Sequence, residues 1–166
     1  MAWTTPGTAT AGSVLTAAFW NEQVRDNELM LAPFFSAWTV WTPTLSGGFA
    51  TGNATHTSRY LQVGKFVSFW TNILTGTTTT YGSTLRVSLP VACVAGDALM
   101  GVNAWVTVAG NSYFSAVAAG LSTSNCEIIS LNVAGTYPQF ATTTALIPAT
   151  WATGARIRVG GVYEAA

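Results

Sequence analysis

Apolar and polar residues alternate along much of the chain after residue 38, with the two-residue period of a β-strand. Leu85, Val87 and Leu89 alternate with polar residues until Pro90 ends the run. Successive side chains of a strand point to opposite faces of its sheet, so this alternation predicts a strand with one buried face. The same reasoning predicts strands over 100–108 and 156–163, and further strands near 38–45, 58–63, 113–121, 126–133 and 139–147.

The segment 65–74 is apolar on both faces of its predicted strand. Phe66 and Trp70 fall on one face, whereas Val67 and Phe69 fall on the other. A strand of this kind is typical of a sheet that is covered on both sides. We interpret one face as packed inside the domain and the other as available to a neighbouring subunit.

Short clusters of glycine, serine and threonine, such as residues 46–48 and 81–83, separate the predicted strands. Many short strands joined by such turns favour a sandwich or a barrel over alternating strands and helices. The predicted fold is therefore mainly β: an antiparallel β-sandwich of jelly-roll type preceded by one short N-terminal α-helix. The predicted domains are an N-terminal arm and helix over 1–36 and a β-sandwich over 37–166.

The helix is predicted over residues 17–31, which contain neither glycine nor proline. Thr16 is suited to cap its N terminus, and Pro33 is expected to end it. Residues 1–15 are rich in threonine, alanine and glycine, which favours an extended arm.

One stripe of this helix carries Trp20, Val24, Asn27 and Leu31, and we call these four residues the helix stripe. An isolated helix of about 15 residues is marginally stable, so the stripe needs a packing partner. We predict that it is the oligomerisation or attachment site, in contact with other copies or a host shell, with Asn27 setting the register. The alternative is that the helix folds back and covers an edge of its own β-domain.

Charge is scarce in this sequence. Charged residues make up 7% of the 166 residues, and the net charge is zero, whereas soluble domains usually carry about 25%. One explanation is a surface made of threonine and serine. We favour a surface that other subunits cover, because an obligate interface resembles a domain core cut in half.

The charged residues after the helix predict no strong basic patch. This part of the chain contains five lysines or arginines and three aspartates or glutamates, so its net charge is +2. Nucleic-acid-binding domains usually carry a clustered basic patch, so nucleic acid is not an expected partner. The sequence also shows no signal peptide and no stretch typical of a membrane helix, so no membrane partner is expected.

The sequence offers little of the chemistry that enzymes use. His56 is the single histidine, and its polar surroundings are typical of a loop. After the helix the carboxylates are Asp97, Glu127 and Glu164, and a glycoside hydrolase would need two of them beside one bond. We therefore predict that the protein is not an enzyme and has no catalytic residue.

Cys93 and Cys126 do not form a C-x-x-C motif, and we interpret them as buried apolar side chains. The alternative is a disulfide between them, which depends on a Cα separation that the sequence does not show. One histidine and two distant cysteines are too few for a structural zinc site, so no metal and no cofactor are predicted. Seven tryptophans, eight phenylalanines and five tyrosines are present. Exposed rings could stack on sugars, but we favour the core and subunit contacts as their place.

Two parts of the sequence resemble proteins of tailed phages. The first part is similar to a leader found in virion proteins that are often called minor tail proteins. It comprises residues 3–6 (WTTP), 11–18 (AGSVLTAA) and 20–27 (WNEQVRDN). A β-domain common in phage tail, fibre and decoration proteins resembles residues 41–45, 52–54, 58–69 and 85–90. Phe19 departs from the leader, which more often has an acidic residue there, and the capping box is therefore missing.

The resemblance implies a β-sandwich, often trimeric, that serves as a structural or host-contact surface of the virion. We expect a non-enzymatic structural protein on the surface of a tailed-phage virion, assembled in the host cytoplasm. Its expected partners are two further copies in a homotrimer, other capsid or tail proteins, and a host surface glycan. It would be a capsid decoration or head-fibre protein, or a minor tail component. The alternatives are a carbohydrate-binding host-recognition module of a phage tail and a small hydrolase.

Overall fold

A computed structural model describes residues 7, 11–12, 14, 16–94, 101–108, 112–120, 122–132 and 135–166. The chain divides into two compact units, Met1–Trp38 and Thr39–Ala166, which we call the helical unit and the sheet unit. The boundary expected from the sequence lay between residues 36 and 37. Most of the expected N-terminal arm falls outside the described residues. Asp97 and Met100, in the later segment 95–100, also fall outside them.

The described part of the sheet unit forms one antiparallel sheet of ten strands. Along the sheet the order is β1-β3-β4-β10-β6-β7-β8-β5-β2, and β9 pairs with β8. The strands are β1 (Thr39–Val40), β2 (Leu45–Ser46), β3 (Thr55–Val63), β4 (Phe66–Leu74), β5 (Arg86–Ser88), β6 (Asn103–Val108), β7 (Ser112–Gly120), β8 (Asn125–Asn132), β9 (Gln139–Thr142) and β10 (Arg156–Glu164).

The predicted alternation is confirmed in β4, in β10 and in most of β6. In β4 the side chains of Val67, Phe69 and Ile73 are buried, whereas Phe66 and Trp70 are exposed. The core also contains alternate residues of β6 and β10: Ala104, Val106, Val108, Ile157, Val159 and Tyr163. The sheet therefore has an inner face that packs in the core and an outer face directed away from it.

The sheet is curled, because strands far apart in its order bury side chains in one core. Val67 of β4 and Val87 of β5 belong to the same buried cluster. The segment before residue 95 connects two distant parts of the sheet by backbone hydrogen bonds. The Cys93 N–H donates to the Thr123 carbonyl at 2.8 Å, and the Val94 N–H donates to the Glu164 carbonyl at 3.2 Å. The predictions of a mainly β protein and an antiparallel sheet are confirmed.

Two predicted strands are shorter or more divided than expected. The segment 38–45 contains the separate strands β1 and β2. The segment 139–147 is a strand only up to Thr142, because Thr144 and Ile147 then pair with each other across a turn. Turns of this size depend on local hydrogen bonds that apolar periodicity does not report.

The helical unit contains α1 (Ala17–Trp20), a π-helical segment (Asn21–Arg25) and α2 (Asp26–Phe35). Thr16 is the N-cap as predicted, since its side-chain oxygen accepts a hydrogen bond from the Phe19 N–H at 3.1 Å. The prediction that Pro33 ends the helix is wrong, because α2 continues to Phe35. Pro33 lies in the last turn, where the Ser36 hydroxyl donates to the Ala32 carbonyl at 3.0 Å and satisfies one terminal acceptor.

Candidate functional site

The residues of the helix stripe do not share one environment. Trp20 is 55% exposed and Leu31 is 48% exposed, whereas Asn27 is 7% exposed. Val24 is partly buried. The Asn27 side-chain amide donates to the Gln23 carbonyl at 3.2 Å, one turn earlier in the helix. Only the two ends of the stripe are therefore clearly exposed.

The π-helical segment explains why the stripe is uneven. The Asp26 N–H donates to the Asn21 carbonyl, five residues earlier, instead of four as in an α-helix. The wider turn rotates all later residues relative to Trp20. A stripe drawn with regular helical spacing therefore does not stay on one face, and no signal in the amphipathic pattern indicated this segment.

A second surface, which the sequence analysis missed, is the outer face of five adjacent strands. These strands are β3, β4, β10, β6 and β7, and their register places residues directly beside one another in rows across the sheet. One row consists of Arg59, Trp70, Gly160, Asn103 and Val117. The next row consists of Thr57, Asn72, Arg158, Trp105 and Ser115. We call this surface the basic-aromatic face.

Two tryptophans stand out on the basic-aromatic face. Trp70 of β4 is 39% exposed, and Trp105 of β6 is 56% exposed. They flank β10, where Trp70 lies opposite Gly160 and Trp105 lies opposite Arg158. A Cβ atom added to Gly160 would lie 3.3 Å from the Trp70 Cδ1 atom, so the indole extends across this glycine. The missing side chain of Gly160 leaves the room that the ring occupies.

The positive charges of the sheet unit are unequally distributed. Lys65 pairs with Glu164 at 3.8 Å, and Arg86 pairs with Glu127 at 3.7 Å. The other three cations are the arginines of the basic-aromatic face, and none of them forms an ion pair with a described residue: Arg59, Arg156 and Arg158. The surface therefore carries three positive charges that no described carboxylate neutralises.

Arg158 is held in place by its neighbour on β4. Its Nε–H donates to the Asn72 side-chain oxygen at 3.3 Å. Beside this pair is a pocket of about 230 Å³, lined by Thr55, His56, Thr57, Asn72, Leu74 and Arg156. Its lining offers hydroxyl, amide, imidazole and guanidinium groups, all of which form hydrogen bonds with polar ligands.

His56 lies in strand β3 and not in a loop, contrary to expectation. Its Nδ1 atom lies 3.5 Å from the Ser58 hydroxyl, which in turn lies 2.7 Å from the Thr71 hydroxyl. Ser58 and Thr71 are both buried. The hydrogen bond between the Ser58 and Thr71 hydroxyls satisfies these two buried polar groups.

Two of the three carboxylates considered for hydrolysis lie beside cations. Glu127 on β8 pairs with Arg86, and Glu164 at the end of β10 pairs with Lys65. Asp97 lies outside the described residues. Within the described part of the chain, no group of three or more histidine, cysteine, aspartate or glutamate side chains is placed to hold a metal ion.

Cys93 and Cys126 are buried thiols, as the sequence analysis predicted. Burial raises the pKa of Cys126 from 9.0 to about 12. It also raises the pKa of Tyr163 from 10.0 to about 12. The Tyr163 hydroxyl donates to the Val91 carbonyl at 2.7 Å and so remains satisfied as a neutral group. Both side chains belong to the core and not to a reactive site.

Among the described residues, no helix is long and apolar enough to cross a bilayer.

The group of three arginines was not predicted because Arg59 is far along the chain from Arg156 and Arg158. Arg59 and Arg156 come together only through the pairing of β3 with β4 and of β4 with β10. The available signal was their position: each is a polar residue between residues that face the core. Comparisons with protein-family models, curated proteins and solved structures found no match to this chain.

Proposed function

We propose that the protein is a non-enzymatic structural component of the surface of a tailed-phage virion and works as an oligomer, a homotrimer in the simplest case. The observation that carries this proposal is the exposure of large apolar side chains along the short helical unit. Trp20, Leu29, Leu31 and Phe34 are all exposed. A short helix with so much exposed apolar surface is expected to gain stability from a partner.

The proposed place on the virion follows from the resemblance of the leader and the first strands to phage proteins. In this account the helical unit attaches the protein to its copies or to a capsid or tail protein. The sheet unit would then be a capsid decoration, a head-fibre domain or a minor tail component. The scarcity of charge supports the proposal, because surfaces covered by other subunits need few charges for solubility.

We extend the proposal to the finer fold of the sheet unit, a β-sandwich of jelly-roll type. Its support is the curl of the sheet: β4 and β5 are five places apart in the strand order yet bury side chains in one core. Two layers made from one curled sheet fit this arrangement.

The experiment replaces Trp20 and Val24 with serine and measures the mass of the protein in solution by light scattering. We expect the variant to dissociate while the melting of the sheet unit is unchanged. The matched control replaces Val40 and Leu146, two exposed apolar residues of the sheet unit, with serine. An oligomer that survives the first pair of changes would show that the helix is not the contact.

A second function, carbohydrate binding during host recognition, is favoured by a specific observation. Trp70 and Trp105 are exposed on one side of the same sheet, with polar side chains between them. Aromatic rings with hydrogen-bonding neighbours are suited to sugars, which present both apolar C–H groups and hydroxyls. The two functions are compatible, because they use different units of the chain.

A further inference from the structure

We infer that the basic-aromatic face binds an acidic polysaccharide, one whose sugar rings carry carboxylate groups. This inference rests on the second proposed function, carbohydrate binding, and is independent of the oligomeric state. It names the ligand class and the residues that recognise it.

The positions of the two tryptophans indicate a chain of sugars as the ligand. Trp70 and Trp105 are two strands apart and differ by two residues in register. With strands about 4.8 Å apart and a rise of about 3.4 Å per residue, their Cα atoms are about 12 Å apart. Two rings at this separation contact different sugars of one oligosaccharide, which lies obliquely across β10.

Arg158 lies between the two tryptophans and supplies the contact with a carboxylate. The Asn72 side-chain oxygen accepts from its Nε–H, which restrains the orientation of the guanidinium before the ligand arrives. A guanidinium donates two parallel hydrogen bonds to a carboxylate, and a fixed one loses little side-chain entropy on binding. The two terminal nitrogens of Arg158 remain for this contact.

Arg59 and Arg156 extend the positive charge to both sides of this centre. Arg59 lies opposite Trp70 in the sheet, and Arg156 lines the polar pocket beside Asn72. On the outer face of β10 the described carboxylate that could neutralise Arg158 is Glu164. It lies six residues from Arg158 and is paired with Lys65. At about 3.4 Å per residue, this separation is about 20 Å, too far to neutralise the centre of the face.

The same charges argue against two other occupants. A second copy docked face to face would bring the unneutralised arginines of both copies together, which costs free energy. Single-stranded nucleic acid carries a phosphate at every nucleotide and is usually bound in a groove with many cations. Three arginines on a sheet unit with a charge of +2 match the sparser charge of an acidic polysaccharide better.

The experiment measures binding of the full chain by titration calorimetry at low ionic strength. The probe is a hexamer of galacturonic acid, compared with a neutral maltohexaose and with a thymidine hexanucleotide. We expect the acidic hexamer to bind at least tenfold more tightly than either of the others. Equal binding of maltohexaose would overturn the role of the arginines, and tighter binding of the oligonucleotide would replace the polysaccharide with nucleic acid.

Two variants test the residues, and each has a matched control. Arg158→Gln and Trp105→Ala should each weaken binding of the acidic hexamer at least tenfold. Lys65→Gln removes the same charge away from the centre of the face, and Tyr137→Ala removes an exposed ring outside the five strands. Both controls should change the affinity less than twofold. An equal loss in a variant and its control would contradict the assigned site.

Light scattering on the same samples separates this inference from the structural proposal. An oligomer that does not bind the acidic hexamer would overturn the inference alone. A monomer that binds the acidic hexamer through Arg158 and Trp105 would overturn only the proposal that the protein is an oligomer.

Discussion

The two units of the chain differ in how completely their own residues cover their apolar surface. In the sheet unit, alternation along β4, β6 and β10 places one set of side chains in a shared core. In the helical unit, large apolar side chains remain exposed along α1 and α2. Both units expose some large apolar side chains, but every described apolar side chain that is buried lies in the sheet unit. The sheet unit is therefore stabilised by its own core, whereas the helical unit has apolar surface left for a partner.

Charge separates the two units as well. The helical unit contains Glu22, Arg25, Asp26 and Glu28, which leaves a charge of −2, whereas the sheet unit has a charge of +2. The zero net charge of the chain therefore hides two units of opposite sign. This difference is invisible in a composition that is averaged over the whole sequence.

The largest expected effect comes from a change in the core of the sheet unit. Phe69 is buried, and its ring lies 6.5 Å from the ring of Trp41 and 5.6 Å from that of Tyr163. Phe69→Ala should lower the free energy of unfolding by about 3–5 kcal/mol, measured by urea denaturation. The matched control is Phe66→Ala on the exposed side of the same strand, where we expect a loss below about 1 kcal/mol.

A second effect on stability is expected at alkaline pH. The folded protein holds the protons of Cys126 and Tyr163 up to about pH 12, whereas the unfolded chain releases them near 9.0 and 10.0. Stability from these groups is complete below about pH 9 and is lost as the pH rises towards about 12. The urea midpoint should therefore fall over this range, and Cys126→Ala should reduce the part of the fall that begins near pH 9.

A midpoint that is constant from pH 9 to 12 would contradict the burial of both groups. Cys126→Ala and the parent chain are compared by the slope of the urea midpoint against pH. The slope is used because the alanine also leaves a small cavity that lowers stability at every pH.

The smallest expected effect concerns the start of the helix. Thr16→Ala removes the hydrogen bond from the Phe19 N–H to the threonine hydroxyl and should destabilise the helix by about 1 kcal/mol. Circular dichroism should show a reduced helical signal, while Thr16→Ser should preserve it. An unchanged signal in Thr16→Ala would show that contacts with a partner, not the cap, hold the helix.

The sequence predicted what depends on local periodicity. The alternation of Val102, Ala104 and Val106 with Trp105 indicated which side chains of this segment are buried, and the structure confirms it. The N-cap at Thr16 was likewise visible, because capping depends on one side chain and its near neighbours.

The remaining features depend on contacts between distant residues or on backbone detail. The pairing of β10 with both β4 and β6 brings Arg158 beside Asn72 and Trp105, and no pattern within one segment indicates this order of strands. The π-helical segment of Asn21–Arg25 is a backbone irregularity within an otherwise regular helical pattern. The strand order that assembles the basic-aromatic face and the π-helical segment that makes the helix stripe uneven could therefore not be predicted from the sequence.

The most direct test of the account is the mass of the intact protein in solution, measured by light scattering across micromolar concentrations. One chain has a mass of 17.4 kDa. We predict a stable species with the mass of three chains, because the exposed apolar residues of the helical unit would be covered by other copies. A species with the mass of one chain at every concentration, with its helix still formed, would contradict it.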